Sequence, residues 1–107
     1  MKLNLGRIAI FCLAASIITP AFAQGSGADT YKAQCALCHG DDGRATTPVG
    51  SALKAASFKD PAVVKTPDAA LITIIKNGKD NKMPPFAAKL TDAQIKAVLA
   101  YIRTLQK

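Results

Sequence analysis

The sequence predicts an all-α domain downstream of residue 23, and two observations indicate this fold class. No run of alternating apolar and polar residues suggests a β-strand. Apolar residues recur instead at three- and four-residue intervals in two segments, each preceded by residues that favour the start of a helix. The chain shows no internal repeat and has the length of one small domain, so we expect three to five helices in a single unit.

The first helix is expected to begin at Ser26 or Gly27 and to end near Gly40. The Ser26 hydroxyl can accept a hydrogen bond from a backbone amide of the first turn. The carboxylate of Asp29 suits the positive end of the helix dipole. Residues 41–50 begin with two aspartates and a glycine, which are typical turn residues, so this segment is expected to be a loop.

Residues 51–66 carry little periodicity, and only a short helical turn is predicted there. Asp60 can cap this turn and Pro61 suits its first position, because a proline there loses no helical hydrogen bond. The turn would extend through Val64. The rest of the segment has no assignment from the sequence.

A longer helix is predicted next, with Thr66 as its cap, Pro67 in its first position and Gly78 at its end. Its apolar stripe consists of Leu71, Ile74 and Ile75.

The last helix has the strongest signals in the chain. Thr91 and Gln94 have the spacing of a capping box, in which each side chain accepts a hydrogen bond from the backbone amide of the other residue. Apolar residues then follow the helical period to the end of the sequence: Ile95, Val98, Leu99, Ile102 and Leu105.

The first 23 residues are interpreted as a cleaved secretory signal peptide. Lys2 and Arg7 give a positive start, residues 8–18 are apolar apart from one serine, and an Ala-Phe-Ala sequence predicts cleavage after Ala23. A retained membrane anchor is the alternative, but the apolar run is shorter than the roughly 20 residues that span a bilayer. Residues 24–107 would then form an exported, periplasmic domain that has no stable membrane insertion.

The exported domain is basic. Removal of Lys2 and Arg7 leaves 12 of the 14 basic residues against seven aspartates. The basic residues are dispersed and are not interleaved with aromatic ones, so no nucleic-acid partner is expected. Such a charge suits an acidic surface on a protein partner.

Residues 35–39 read Cys-Ala-Leu-Cys-His, which fits the pattern of covalent haem c attachment. Cys35 and Cys38 can each add to one vinyl group of the same porphyrin, and the imidazole of His39 can then reach the iron. A thioredoxin-type dithiol usually accompanies a βαβ pattern, a zinc site needs four ligands, and a disulfide closing so short a loop would stabilise little. We therefore predict one covalently bound haem c and its iron as the cofactor.

The second ring nitrogen of His39 is expected to donate a hydrogen bond to a backbone carbonyl, which fixes the tautomer of a ligating histidine. Pro48 is the predicted partner, since its ring makes the local backbone rigid.

Met83 is the only methionine in residues 24–107 and is predicted to be the second axial ligand of the iron. It lies in segment 77–89, and the two prolines that follow it restrict the backbone. A core-filling role is the alternative for a lone methionine. A His/Met pair occupies both axial positions, which predicts an electron carrier rather than an enzyme. A haem enzyme or ligand sensor with an open or displaceable sixth position is the alternative.

Four lysines flank the methionine segment and are interpreted as a positive docking surface for an acidic redox partner. An ordinary solvated surface is the alternative. These lysines are Lys76, Lys79, Lys82 and Lys89.

Across residues 25–107 the chain resembles the class I c-type cytochromes of the small soluble bacterial type, such as cytochromes c551, c553 and c6. The motifs that carry the resemblance are Gly27-x-x-x-Tyr31, the attachment motif with Gly40, the Lys-Met-Pro-Pro-Phe sequence of residues 82–86, and residues 90–91 and 101–102. The resemblance implies helices wrapped around one haem, with the first and last helices crossing at Gly27. It also implies a monomeric, monohaem electron carrier.

Overall fold

The structure, a computed structural model, describes residues 14–15 and 26–107. The predicted signal peptide, residues 1–23, falls almost entirely outside the described residues. Within the described ranges there are six helices and no strand, apart from one isolated bridge between Lys79 and Met83. None of the helices in this part of the chain is long and apolar enough to cross a membrane. The all-α fold class is confirmed.

The helices, in chain order, are α1 (Gly27–Gln34), α2 (Ala36–His39), α3 (Pro48–Leu53), α4 (Pro61–Lys65), α5 (Asp68–Asn77) and α6 (Asp92–Leu105).

The first helix begins as predicted but divides in two. The Asp29 amide donates to the Ser26 hydroxyl at 3.1 Å, which confirms the cap. The backbone leaves helical geometry at Cys35, with φ of −122°, and resumes it in α2 until Gly40. The structure has six helices in its described part, one more than the upper end of the expected three to five, because the first helix divides and α3 forms in the segment expected to be a loop.

Helix α3 occupies the end of the segment that was expected to be a loop. Thr47 caps it, accepting a hydrogen bond from the Gly50 amide at 2.9 Å, and Pro48 takes the first helical position. The Thr47 hydroxyl also lies 2.7 Å from the Leu37 carbonyl oxygen. A Cβ at Gly50 would overlap the Cys38 carbonyl. Helix α3 therefore packs directly on the backbone of the attachment motif.

The short turn and the next helix lie where the sequence places them, with one correction. Asp60 caps α4 by accepting from the Ala62 amide at 2.9 Å, as predicted. Thr66 does not cap α5, because its hydroxyl donates back to the Ala62 carbonyl at 2.7 Å. Pro67 is the capping residue instead and gives α5 no side-chain cap.

Helix α6 carries the core. Its predicted capping box is present in full. Ile95, Val98 and Ile102 are buried together with aromatic residues from other segments. Helix α1 crosses α6 so closely that a Cβ at Gly27 would overlap the Ala97 carbonyl, as the resemblance implies for a close crossing at that glycine.

Candidate haem-binding site

A cavity of about 490 Å³ lies between the attachment motif and the methionine segment, within the size range of cofactor sites. The four predicted attachment and ligand residues, Cys35, Cys38, His39 and Met83, all line it. The remaining lining is mostly apolar and comes from α3, α4, α5, α6 and the segments between them. It includes Leu53, Phe58, Val63, Leu71, Ile74, Ile75, Phe86, Leu99 and Ile102.

The two cysteines are free thiols and both are half-buried. Burial, together with the nearby Cys38, raises the pKa of the Cys35 thiol to about 11. The structure contains no disulfide between Cys35 and Cys38. Within the described ranges no group of three or more His, Cys or Asp side chains is arranged to hold a metal ion.

His39 is oriented by two contacts. Its Nδ1 lies 2.9 Å from the Ala56 carbonyl oxygen, and its ring stacks on Phe58 with centroids 4.5 Å apart and planes 21° apart. Burial lowers the pKa of the imidazole, which favours the neutral ring. A neutral ring that donates from Nδ1 to this carbonyl leaves Nε2 with the lone pair that a metal needs.

The prediction that Pro48 accepts this hydrogen bond is wrong. Pro48 is the first residue of α3, so its carbonyl points along the helix towards the next turn. Ala56 and Phe58 lie in the segment between α3 and α4, for which the sequence shows no pattern. No local signal identifies either residue, because a backbone carbonyl can belong to any amino acid.

Tyr31 holds the end of the attachment motif. Its ring is fully buried and its hydroxyl donates to the Gly40 carbonyl at 2.7 Å. Burial raises the pKa of this phenol well above its usual value, so the hydroxyl remains a donor at all ordinary pH values. The ring also contacts Phe58 and Tyr101, with centroid distances of 6.2 and 5.2 Å. Tyr31, Phe58 and Tyr101 therefore form an aromatic cluster, and the Phe58 ring of this cluster stacks on the His39 ring.

Met83 is fixed by its backbone. The Lys79 amide donates to the Met83 carbonyl at 3.1 Å, and the Met83 amide donates to the Lys79 carbonyl at 3.0 Å. The turn between them needs positive φ values of 54° at both Asp80 and Asn81, residue types that tolerate this conformation. Farther along, the Phe86 amide donates to the Ile75 carbonyl at 3.0 Å and ties the segment to α5. The half-buried thioether therefore sits on a closed, anchored loop.

The four predicted docking lysines divide into two pairs. Lys79 and Lys82 line the cavity. Lys76 forms an ion pair with Asp92 at 2.8 Å, and the Lys89 ammonium lies 5.5 Å from the centroid of the Phe86 ring. Neither of these two lines the cavity. Lys54, which sequence reasoning missed, does line it.

Comparison with known proteins identifies the family. The family model described as cytochrome c oxidase, cbb3-type, subunit III matches residues 23–102. Cytochrome c6 of a Picosynechococcus species is 38% identical over 92 residues, which cover 78% of this chain and 76% of that protein. The chain is a class I c-type cytochrome.

Two further relatives show the range of this family. The cbb3-type cytochrome c oxidase subunit FixP of Azorhizobium caulinodans is 32% identical over 80 residues, which cover 74% of this chain and 26% of that subunit. The chain thus spans about a quarter of the length of this relative. The KustC0563 c-type cytochrome superposes with a TM-score of 0.71 at 36% identity, covering 77% of this chain and 99% of that one.

The cavity fits the cofactor of the family, covalently bound haem c. It combines a mostly apolar lining with two thiols, one imidazole and one thioether, which are the donor groups used for haem c attachment and for His/Met ligation.

Proposed function

We propose that this cytochrome is an exported, periplasmic monohaem electron carrier with a closed iron site. In this proposal Cys35 and Cys38 hold the haem covalently, and His39 and Met83 are its axial ligands. The observation that carries the proposal is that all four side chains line one apolar cavity although Met83 is distant from the motif in sequence. When bound, haem c supplies an iron that accepts and releases one electron.

Neighbouring residues fix the orientation of the two proposed ligands. The Ala56 carbonyl and the Phe58 ring hold the His39 imidazole in one orientation, in which Nε2 is available as the donor atom. The loop closed between Lys79 and Met83 holds the thioether in place with little freedom to reorganise. If His39 and Met83 both coordinated the iron from these rigid elements, no coordination position would remain for a substrate, which supports a carrier rather than an enzyme.

The oxidised optical spectrum tests the ligation. We expect the weak far-red sulfur-to-iron band in the matured protein and its loss in Met83→Leu, a change that preserves side-chain volume. Ile74→Val is the matched control, since Ile74 lines the same cavity but offers no ligand atom. A five-coordinate wild-type protein, or ready binding of carbon monoxide to its reduced form, would favour the alternative of a haem enzyme or ligand sensor.

The docking proposal is restricted to Lys79 and Lys82, the two predicted docking lysines that line the cavity. Lys79 and Lys82 are exposed and line the cavity that would hold the haem, so they are placed to steer an acidic redox partner. Reversal of both charges to Glu should slow electron transfer to an acidic partner at low ionic strength without a change in the optical spectrum. The double variant Lys32→Glu/Lys96→Glu, at exposed positions of α1 and α6 away from the cavity, is the control with the same change in net charge. Equal rates for the Lys79/Lys82 variant and the control would remove this part of the proposal.

Export can be tested separately from redox function. The mass of the protein recovered from a periplasmic fraction should correspond to residues 24–107 plus one haem. Recovery of the full-length chain in the membrane fraction would contradict the cleavage and support the retained anchor.

A further inference from the structure

Arg103, half-buried near the end of α6, makes five side-chain hydrogen bonds. Its Nε and Nη2 donate to Asp68 Oδ1 at 3.0 and 2.8 Å. Nη2 also donates to the Thr66 carbonyl at 2.6 Å, and Nη1 donates to the Val64 carbonyl at 3.3 Å. A further bond from Nη1 to Gln106 Oε1, at 3.0 Å, orients the guanidinium on its own helix.

Three of these acceptors lie in residues 64–68, the corner between α4 and α5. The corner needs an external partner, because the last carbonyls of a helix have no amide within that helix to pair with. Packing contributes little, since α4 contains no fully buried residue and only Val63, which is partly buried, packs against the core. Pro67 cannot donate a backbone hydrogen bond and leaves α5 without a side-chain cap. The planar guanidinium, with its fixed set of donors, is therefore the main polar anchor of the corner.

This corner forms part of one wall of the haem cavity. Val63 and Thr66 line the cavity from the corner side, and Leu71 continues the wall into α5. Arg103 is not among the lining residues. Any steric influence of Arg103 on the cavity therefore acts through the position of the corner.

We propose that Arg103 is a positioning residue that holds the α4–α5 corner closed against the haem and so keeps the reduction potential high. The proposal rests on the haem-carrier function proposed above. Solvent exposure around a redox iron favours its more highly charged, oxidised state, because water stabilises charge better than an apolar wall. A loosened corner admits water and makes the iron harder to reduce.

The test compares midpoint potentials of the matured wild-type protein and its variants at fixed pH and ionic strength. Arg103→Lys keeps the positive charge but cannot reproduce the fork of hydrogen bonds. We expect the equilibrium constant for its reduction by a fixed donor couple to fall several-fold, with the far-red band retained. Arg103→Gln should give at least the same fall. Arg44→Lys, at an exposed turn, is the matched control and should leave the potential unchanged.

A second variant separates positioning from charge. Asp68→Asn removes a carboxylate but retains an oxygen that can accept from Arg103, and the two backbone carbonyl bonds remain. We expect its potential to stay near that of the wild type. Unchanged potentials in both Arg103 variants would overturn the proposal, and so would a fall in Arg103→Gln alone, since that pattern reports the charge.

Hydrogen exchange provides a measurement that does not depend on the potential. In Arg103→Lys, amide exchange should accelerate in residues 64–71 while α1 and the core of α6 stay protected. Unchanged exchange at the corner would also overturn the proposal. Failure of the carrier function would look different, because the wild-type protein would then lack the haem spectrum or the far-red band before any variant is made.

Discussion

The crossing of α1 and α6 allows a prediction in which two physical effects have opposite signs. Gly27 is the first residue of α1, and a Cβ there would overlap the carbonyl oxygen of Ala97 on α6. Helix propensity alone predicts that Gly27→Ala stabilises the protein, by up to about 1 kcal/mol. The steric overlap predicts the reverse, because the obstacle is backbone and cannot rotate away as a flexible side chain would.

The overlap should dominate. Overpacking a well-packed contact costs about 1–3 kcal/mol, and a backbone obstacle places this site at the upper end of that range. After subtraction of the propensity gain, Gly27→Ala should destabilise the holoprotein by about 1–2 kcal/mol. For a domain of this size that corresponds to a fall in Tm of about 5–15 °C.

Thermal unfolding followed by far-ultraviolet circular dichroism measures this effect. Ala100→Gly, at an exposed position in the middle of α6, calibrates the propensity contribution in the same protein and should cost about 1 kcal/mol. A Tm for Gly27→Ala at or above that of the wild type would refute the reasoning, because it would mean that the helices separate without loss.

Three further predictions concern single contacts. Tyr31→Phe leaves the buried Gly40 carbonyl without its donor and should destabilise the protein by about 1–2 kcal/mol in urea unfolding, with the optical spectrum retained. Lys54 has a φ of 55° at the end of α3, so Lys54→Gly should relieve strain and stabilise the protein by about 0.5 kcal/mol in the same assay. The hydrogen bond and charge of Lys76 hold the pKa of the exposed Asp92 carboxyl below its usual value. Its small contribution to stability is therefore present above the unfolded-state pKa and is lost as the pH falls through the lower folded-state pKa. Asp92→Asn should remove this part of the acid dependence of Tm, and high salt should reduce the difference between the two proteins.

The parts of the fold that the sequence predicts are those set by local interactions. The capping box of Thr91 and Gln94 and the Ser26 cap depend on residues within one turn, so their patterns are readable without tertiary structure. The attachment motif is equally local, because its two thiols and its imidazole lie within five consecutive residues. Met83, predicted as a ligand from its rarity and the prolines that follow it, lines the cavity although it is distant from the motif in sequence.

The parts that the sequence does not predict depend on tertiary contacts. The Ala56 carbonyl orients His39, and residue type cannot identify such a partner because every residue has a backbone carbonyl. Thr66 and Pro67 have the pattern of a helix start, yet the Thr66 hydroxyl bonds backwards to α4 and its carbonyl is taken by Arg103. The position of Phe58 in the cavity lining could not be predicted either. A single aromatic residue in an unpatterned segment indicates burial but not which residues it contacts.

Helix α6, the element with the clearest sequence signals, is also the element on which the cavity depends most. Leu99 and Ile102 line the cavity directly. The Ala97 carbonyl faces Gly27 of α1 at the helix crossing, and Arg103 bonds to the α4–α5 corner. These contacts come from different faces of one helix, so they can be perturbed separately. A change at Gly27 should act on stability with little effect on the potential of the protein that remains folded. A change at Arg103 should act on the potential with less effect on stability, because the corner it holds contributes little to the buried core. If a change at Gly27 altered the potential and a change at Arg103 mainly lowered the stability, the cavity wall and the helix crossing would form one cooperative unit.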